Sequence, residues 1–130
     1  MKKFLALLGC LILILSCSND DNDEVDRIVG KWQMTARFES GVEVEVGCSQ
    51  YTFTEYKSNG RFGGDYIDLQ NTPNECATLT FIELLWSRVG ANIYNFRSGD
   101  NVVSTGYFEG ENLIVEPVDL PHQWVYSRLE

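Results

Sequence analysis

From Arg27 onward the chain alternates. Lys31 to Phe38 places Trp32, Met34, Ala36 and Phe38 on one face of an extended segment and Lys31, Gln33, Thr35 and Arg37 on the other. Successive side chains of an extended chain point to opposite faces, so this pattern predicts a half-buried β-strand. Helix-period spacing is missing after Leu15. Turn residues punctuate the rest at the interval of about 8–12 residues that marks an all-β domain. A chain built this way has few options: a sandwich, or a sheet closed on itself.

The strands follow in order. Ser40-Gly41 turns the chain, and Val42 to Val46 alternates valine with Glu43 and Glu45 until Gly47-Cys48. Tyr51 to Tyr56 is rich in aromatic residues and threonine, which suit a pleated surface. Ser58-Asn59-Gly60 predicts a hairpin, with Asn-Gly favouring a type I′ turn. Arg61 to Leu69 is the next strand, with Gly63-Gly64 as a bulge or bend. Asn71 to Glu75 is a loop, Thr78 to Val89 a long apolar strand, and Gly90-Ala91 a turn. Asn92 to Arg97 leads through Ser98 to Asn101 into Val102 to Phe108, which pairs with Asn112 to Glu116 across Gly110. Pro117 to Pro121 is a connection, and Gln123 to Leu129 is the last strand. Consecutive hairpins without a crossover predict an all-β, antiparallel up-and-down barrel of about eight or nine strands. An open sandwich of the same strands is the alternative.

The amino terminus is a separate problem. Met1-Lys2-Lys3 is basic, Phe4 to Leu15 is almost wholly apolar, and small Ser16 and Cys17 follow. Charge, a short apolar run and small residues are the signal-peptide layout. The run is shorter than the about 20 residues a membrane-spanning helix needs. Leu15-Ser16-Cys17 resembles the lipobox of bacterial lipoproteins. That resemblance implies cleavage before Cys17, a diacylglycerol on its sulfur and acylation of the new amino terminus. Residues 1–16 are then the signal peptide. More than one acyl chain gives stable anchoring without a spanning helix. Ser18, and not the aspartate that resembles an inner-membrane retention signal, follows the cysteine, so the lipoprotein resemblance implies the outer membrane, on its periplasmic or cell-surface face.

Residues 17–26 are the lipidated cysteine and an acidic tether, Ser-Asn-Asp-Asp-Asn-Asp-Glu-Val-Asp after Cys17. Such composition buries too little apolar surface to offset ordering entropy. A calcium loop starting at Asp20 fails, because Val25 and Lys31 stand where the EF-hand pattern needs glycine and glutamate.

The formal net charge is −9, and loss of Lys2 and Lys3 makes it more negative. That balance argues against nucleic acid and anionic lipid headgroups as partners. Of the 4 cysteines, Cys10 leaves with the leader and Cys17 is lipidated. Cys48 and Cys76 remain as an even pair in an oxidising compartment, which predicts a disulfide. These two and the distant His122 do not make a zinc site, so no metal and no cofactor is expected.

Gly30-Lys31-Trp32 at the start of the first strand resembles the Gly-x-Trp of lipocalins, and Arg128 in the last strand resembles the arginine that packs over that tryptophan at the closed end. Cys48 and Cys76 flank Phe53 and Asn59-Gly60 as in short lipocalin-like lipoproteins of Gram-negative bacteria. The resemblance covers nearly all of residues 27–130. It implies a lipocalin-like barrel that holds a small apolar or amphipathic ligand, with Tyr51, Phe53, Trp86, Tyr94 and Phe96 as cavity-lining candidates. Trp124 and Tyr126 are expected to pack near the closed end. The Thr-Asp-Tyr motif and the helix after the last strand of larger lipocalins have no counterpart here.

Catalytic chemistry finds no support. Glu43 and Glu45 alternate with valines and read as a solvated face, His122 follows Pro121 at a strand entrance, and no Ser-His-Asp set assembles. We expect a monomeric non-enzyme. Two functions remain. One is a carrier of a small lipophilic ligand. The other is a surface interaction module that meets a protein or glycan through its rim, chiefly Glu39 to Gly41 and Leu69 to Cys76. An aromatic-walled cavity favours the first, and an interior filled with side chains the second.

Overall fold

Among the residues described by the computed structural model, 24–63, 76 and 83–129, the chain forms nine strands and one short 3-10 turn. The strands are β1 (Gly30–Glu39), β2 (Val42–Val44), β3 (Thr54–Tyr56), β4 (Arg61–Gly63), β5 (Leu84–Arg88), β6 (Ile93–Ser98), β7 (Asn101–Glu109), β8 (Asn112–Pro117) and β9 (His122–Leu129). The leader, Cys17, most of the tether, Gly64, the Leu69 to Glu75 rim loop and the start of the Thr78 to Val89 strand lie outside the described residues.

Every pairing is antiparallel, and β1 pairs with β9 as well as with β2 and β3. The sheet therefore closes on itself as an eight-stranded barrel, with β2 as an extra strand. This is the up-and-down barrel that the hairpin pattern predicts, and closure removes the exposed edges of an open sandwich. The short 3-10 turn Gly47–Tyr51 occupies the break predicted at Gly47-Cys48, and it delays the next strand to Thr54.

The interior is aromatic. Trp32, Tyr56, Tyr94, Phe96 and Phe108 are buried with Ile28, Phe62, Leu113 and Val115, and Leu84, Trp86, Trp124 and Tyr126 pack against them. Tyr56 stacks on Phe62 with ring centroids 4.9 Å apart, and Phe96 meets Phe62 edge-on at 5.2 Å. Offset and edge-on contacts are the arrangements aromatic quadrupoles favour.

Two features depart from the sequence reading. The first is turn chemistry. The type I′ turn is at Ser40-Gly41, where both φ values are positive (50° and 80°) and Glu39 pairs with Val42. At Ser58-Asn59-Gly60 the loop is one residue longer, because Lys57 N–H donates to the Arg61 carbonyl (2.8 Å) and Gly60 N–H back to Lys57 (3.1 Å). Only Gly60 of that loop has positive φ, 81°, while the Asn59 side chain accepts the Arg61 N–H at 3.1 Å. A type I turn closed by a left-handed glycine satisfies the same strand twist as type I′.

The second is a bulge in β1. Met34 pairs with Tyr126 but Ala36 with Val125, so Thr35 is an extra residue. A bulge lets two consecutive residues oppose one partner, and the alternation changes phase beyond it. The predicted faces therefore hold only as far as Met34. Beyond Thr35, Arg37 pairs with Trp124, which packs on the core, and Phe38 pairs with Gln123.

Candidate functional site

The closed end is built by the first described residues. Asp26 accepts the Ile28 N–H at 3.1 Å and the Tyr94 hydroxyl at 2.6 Å, and its other oxygen lies 3.6 Å from Arg88. The barrel's contacts thus begin one residue before Arg27. Ile28 is wholly buried, and its carbonyl accepts the Trp32 indole N–H at 2.8 Å. Arg128 pairs directly with Trp32 across β1 and β9, its guanidinium 4.4 Å from the indole ring centre. It also donates to the carbonyls of Val29 (2.9 Å) and Arg27. Gly30 makes this possible, since a Cβ there would stand 2.4 Å from Arg128 Nη1 and φ is +138°. Arg27 lies over the Phe108 ring at 4.1 Å and donates to Gly110.

The cavity-lining candidates separate. Tyr94 and Phe96 are core residues, each 1% exposed. Trp86 packs on them, and its indole N–H donates to the Lys57 carbonyl at 2.9 Å. Phe53 lies beneath the exposed Lys31 ammonium at 4.9 Å, on the solvent side of the barrel wall. Tyr51 is half-buried in the 3-10 turn. Trp124 and Tyr126 do pack on the core, but Trp124 sits beside Arg37, towards the open end and not the closed one. Among the described residues, a depression of about 130 Å³ between β1, β3 and β9 is lined by Trp32, Met34, Ser49, Thr52, Thr54 and Tyr126. The predicted disulfide is present, joining Cys48 in the 3-10 turn to buried Cys76 at a Cα–Cα separation of 5.3 Å.

The buried phenols have a pH consequence. Burial raises the pKa of Tyr56 and Tyr126, and of Tyr94 to about 12, with Asp26 adding to the shift at Tyr94. Burial and the Glu116 carboxylate raise Tyr107. Each is held neutral in the fold, whereas an unfolded tyrosine ionises near about pH 10. Stability is therefore fully present below about pH 10 and is lost as the pH rises towards 12. Urea midpoints should be level through neutral pH and fall steeply above about pH 10. A midpoint unchanged in that alkaline range would contradict the phenol assignment.

An accessible concavity lies outside the barrel, at the end opposite the Trp32–Arg128 contact. It has a volume of about 540 Å³ and is lined by Phe38, Gly41, Glu116, Pro117, Leu120, Pro121, His122 and Gln123. Three strands position its wall. Phe38 pairs with Gln123 across β1 and β9, and Gln123 Nε2 donates to Glu116 Oε1 of β8 at 2.9 Å. The Tyr107 hydroxyl donates to the same oxygen at 3.2 Å, so the carboxylate is held in place. The Ser40 N–H donates to the Pro121 carbonyl at 2.7 Å and ties the β1–β2 turn to the β8–β9 connection. The sequence reading named the Glu39 to Gly41 side of this rim but missed Phe38, Glu116 and the β8–β9 connection. The Pro-Val-Asp-Leu-Pro run, two prolines enclosing exposed apolar residues, was the available signal.

Among the described residues, no group of three or more His, Cys, Asp or Glu side chains is placed to hold a metal ion. The fold and the site define a small closed antiparallel β-barrel with an aromatic interior and an external groove at one rim. No family model, curated protein or solved structure matches the chain.

Proposed function

We propose that this protein is an outer-membrane lipoprotein, anchored through acylated Cys17 and an acidic tether, whose lipocalin-like barrel is a rigid carrier for an interaction surface at its open rim. A protein or glycan meets that rim, and no catalytic role is assigned. The observation that carries this choice over a ligand-carrier role is how far the described side chains fill the interior. The depression between Trp32, Met34 and Tyr126 has about 130 Å³, whereas sites for drug-sized ligands span about 300–1,000 Å³. An eight-stranded barrel is narrow enough for its own side chains to fill it, and Trp32, Tyr94 and Phe96 are of the size that does so.

Two measurements test this. Titration of the full chain with N-phenyl-1-naphthylamine, and separately with palmitate, should show no saturable site. Stoichiometric binding that perturbs the buried tryptophans would overturn the filled-barrel reading and restore the ligand carrier. For the anchor, Cys17→Ser should abolish incorporation of labelled palmitate and leave the leader uncleaved by the lipoprotein peptidase. Normal labelling of that variant would remove the lipoprotein assignment.

A further inference from the structure

The bulge at Thr35 has an unusual result. It turns Arg37 to the face shared with Trp124, where the arginine Nε is buried without a hydrogen-bond partner. It turns Phe38 outward, to form one wall of the external groove. Exchanging an arginine and a phenylalanine across a barrel wall opposes the hydrophobic pattern, and bulges that re-aim side chains concentrate next to functional sites.

We infer that the groove between Phe38 and the Pro117–Pro121 connection is a docking site for a peptide segment that carries a basic side chain beside apolar ones. This rests on the interaction-module reading and gives it a site and an occupant. Charge supports a cationic partner. Glu116 lies in the groove, its carboxylate already oriented by Gln123 and Tyr107. Asp119 is in the same connection, and Glu43 follows the Ser40-Gly41 turn. Arg37 is engaged by Glu39 in an ion pair and offers this rim little compensation. A positioned carboxylate in a concave, partly apolar site forms a charge-assisted hydrogen bond to an ammonium or guanidinium.

The apolar surroundings point to a peptide, not a small amine. Leu120 in the groove is 52% exposed, and Val42 and Val118, next in sequence to the lining residues Gly41 and Pro117, are 65% and 57% exposed. A small amine would leave most of this apolar surface uncovered. The two prolines limit the freedom of the connection, so little ordering is needed on binding.

The test uses the purified full chain and two labelled peptides, Leu-Lys-Leu-Pro-Lys-Leu and its counterpart with both lysines replaced by glutamate. Fluorescence anisotropy gives the affinities, and amide chemical shifts give the location. The lysine peptide should bind saturably, move the resonances of Phe38, Leu120 and His122, and weaken as salt is added. Glu116→Gln should weaken it by about tenfold, the scale of one charge-assisted hydrogen bond. Phe38→Leu, a milder change than alanine, should also weaken it, while Arg61→Ala at the closed end should leave it unchanged. Equal binding of the two peptides, shifts centred elsewhere, indifference to Glu116→Gln, or a neutral oligosaccharide occupying the groove in place of the peptide would each overturn the assignment. If the lysine peptide fails and N-phenyl-1-naphthylamine also finds no interior site, the groove assignment falls and the interaction-module reading stands. Saturable interior binding of the fluorophore removes that reading itself.

Discussion

Trp32→Ala should lower the unfolding free energy by about 3–5 kcal/mol, the range for truncating a buried aromatic residue. Small domains have about 5–15 kcal/mol in total, so the variant should be close to unfolded at moderate temperature. The size follows from the position. Trp32 is 1% exposed, tilts against Phe108 at 5.5 Å and donates to the Ile28 carbonyl at 2.8 Å. Alanine leaves a cavity, an unsatisfied carbonyl and an arginine without its ring. The Arg128 contribution can be separated. A guanidinium over an indole contributes about 0.5–2 kcal/mol, depending on desolvation. Arg128 is exposed, so its ring contact belongs at the lower end of that range, and Arg128→Ala should cost more than the ring contact alone because Arg128 also donates to the carbonyls of Val29 and Arg27. In a double-mutant cycle with Trp32→Phe, the coupling term should report the part of the ring contact that needs the indole, since phenylalanine keeps a smaller ring. Urea unfolding of the four proteins measures it, and strict additivity would show that the two side chains do not act together.

Removing the Cys48–Cys76 bridge is the second large effect. The disulfide spans 28 residues, and in the chain-entropy model closing such a loop contributes about 3–4 kcal/mol by constraining the unfolded chain. It also ties the 3-10 turn to Cys76, while Gln33 Nε2 holds the same turn to β1 through the Gln50 carbonyl at 2.7 Å. The Cys48→Ala/Cys76→Ala variant should therefore lose most of this in urea or thermal unfolding. For a domain of this size each kcal/mol moves Tm by about 4–8 °C. Oxidised protein treated with reductant should converge on the same curve. A double variant within about 0.5 kcal/mol of the parent would show that the crosslink does not restrain the unfolded ensemble.

Much of the architecture was legible because its causes are local. Alternation in Lys31 to Met34 follows from the pleat, and turn residues mark where each hairpin reverses. The Trp32–Arg128 contact was legible through the resemblance of Gly30-Lys31-Trp32 and Arg128 to the lipocalin closed end, and closing an up-and-down barrel makes the first and last strands neighbours. The disulfide followed from reading Cys48 and Cys76 as the even pair that remains once Cys10 of the expected leader and the expected lipidation site Cys17 are set aside.

The candidate site was not legible, for a different reason. Whether β1 runs straight or carries a bulge at Thr35 shows only in its register with β9. The residues from Gln33 to Phe38 read as unbroken alternation either way. Turn type behaved similarly. Ser40-Gly41 and Asn59-Gly60 both allow left-handed backbone, and the strands on either side decided which loop has two residues and which has three. The amino-acid sequence alone thus determined consecutive antiparallel hairpins and the pairing of Cys48 with Cys76, since these rest on periodicity and residue chemistry, whereas closure as a barrel over an open sandwich was decided by the β1–β9 pairing. Only the tertiary structure decided that Phe38 faces outward beside Glu116 and that Arg37 takes the inner face, because a single extra residue reverses every side chain after it.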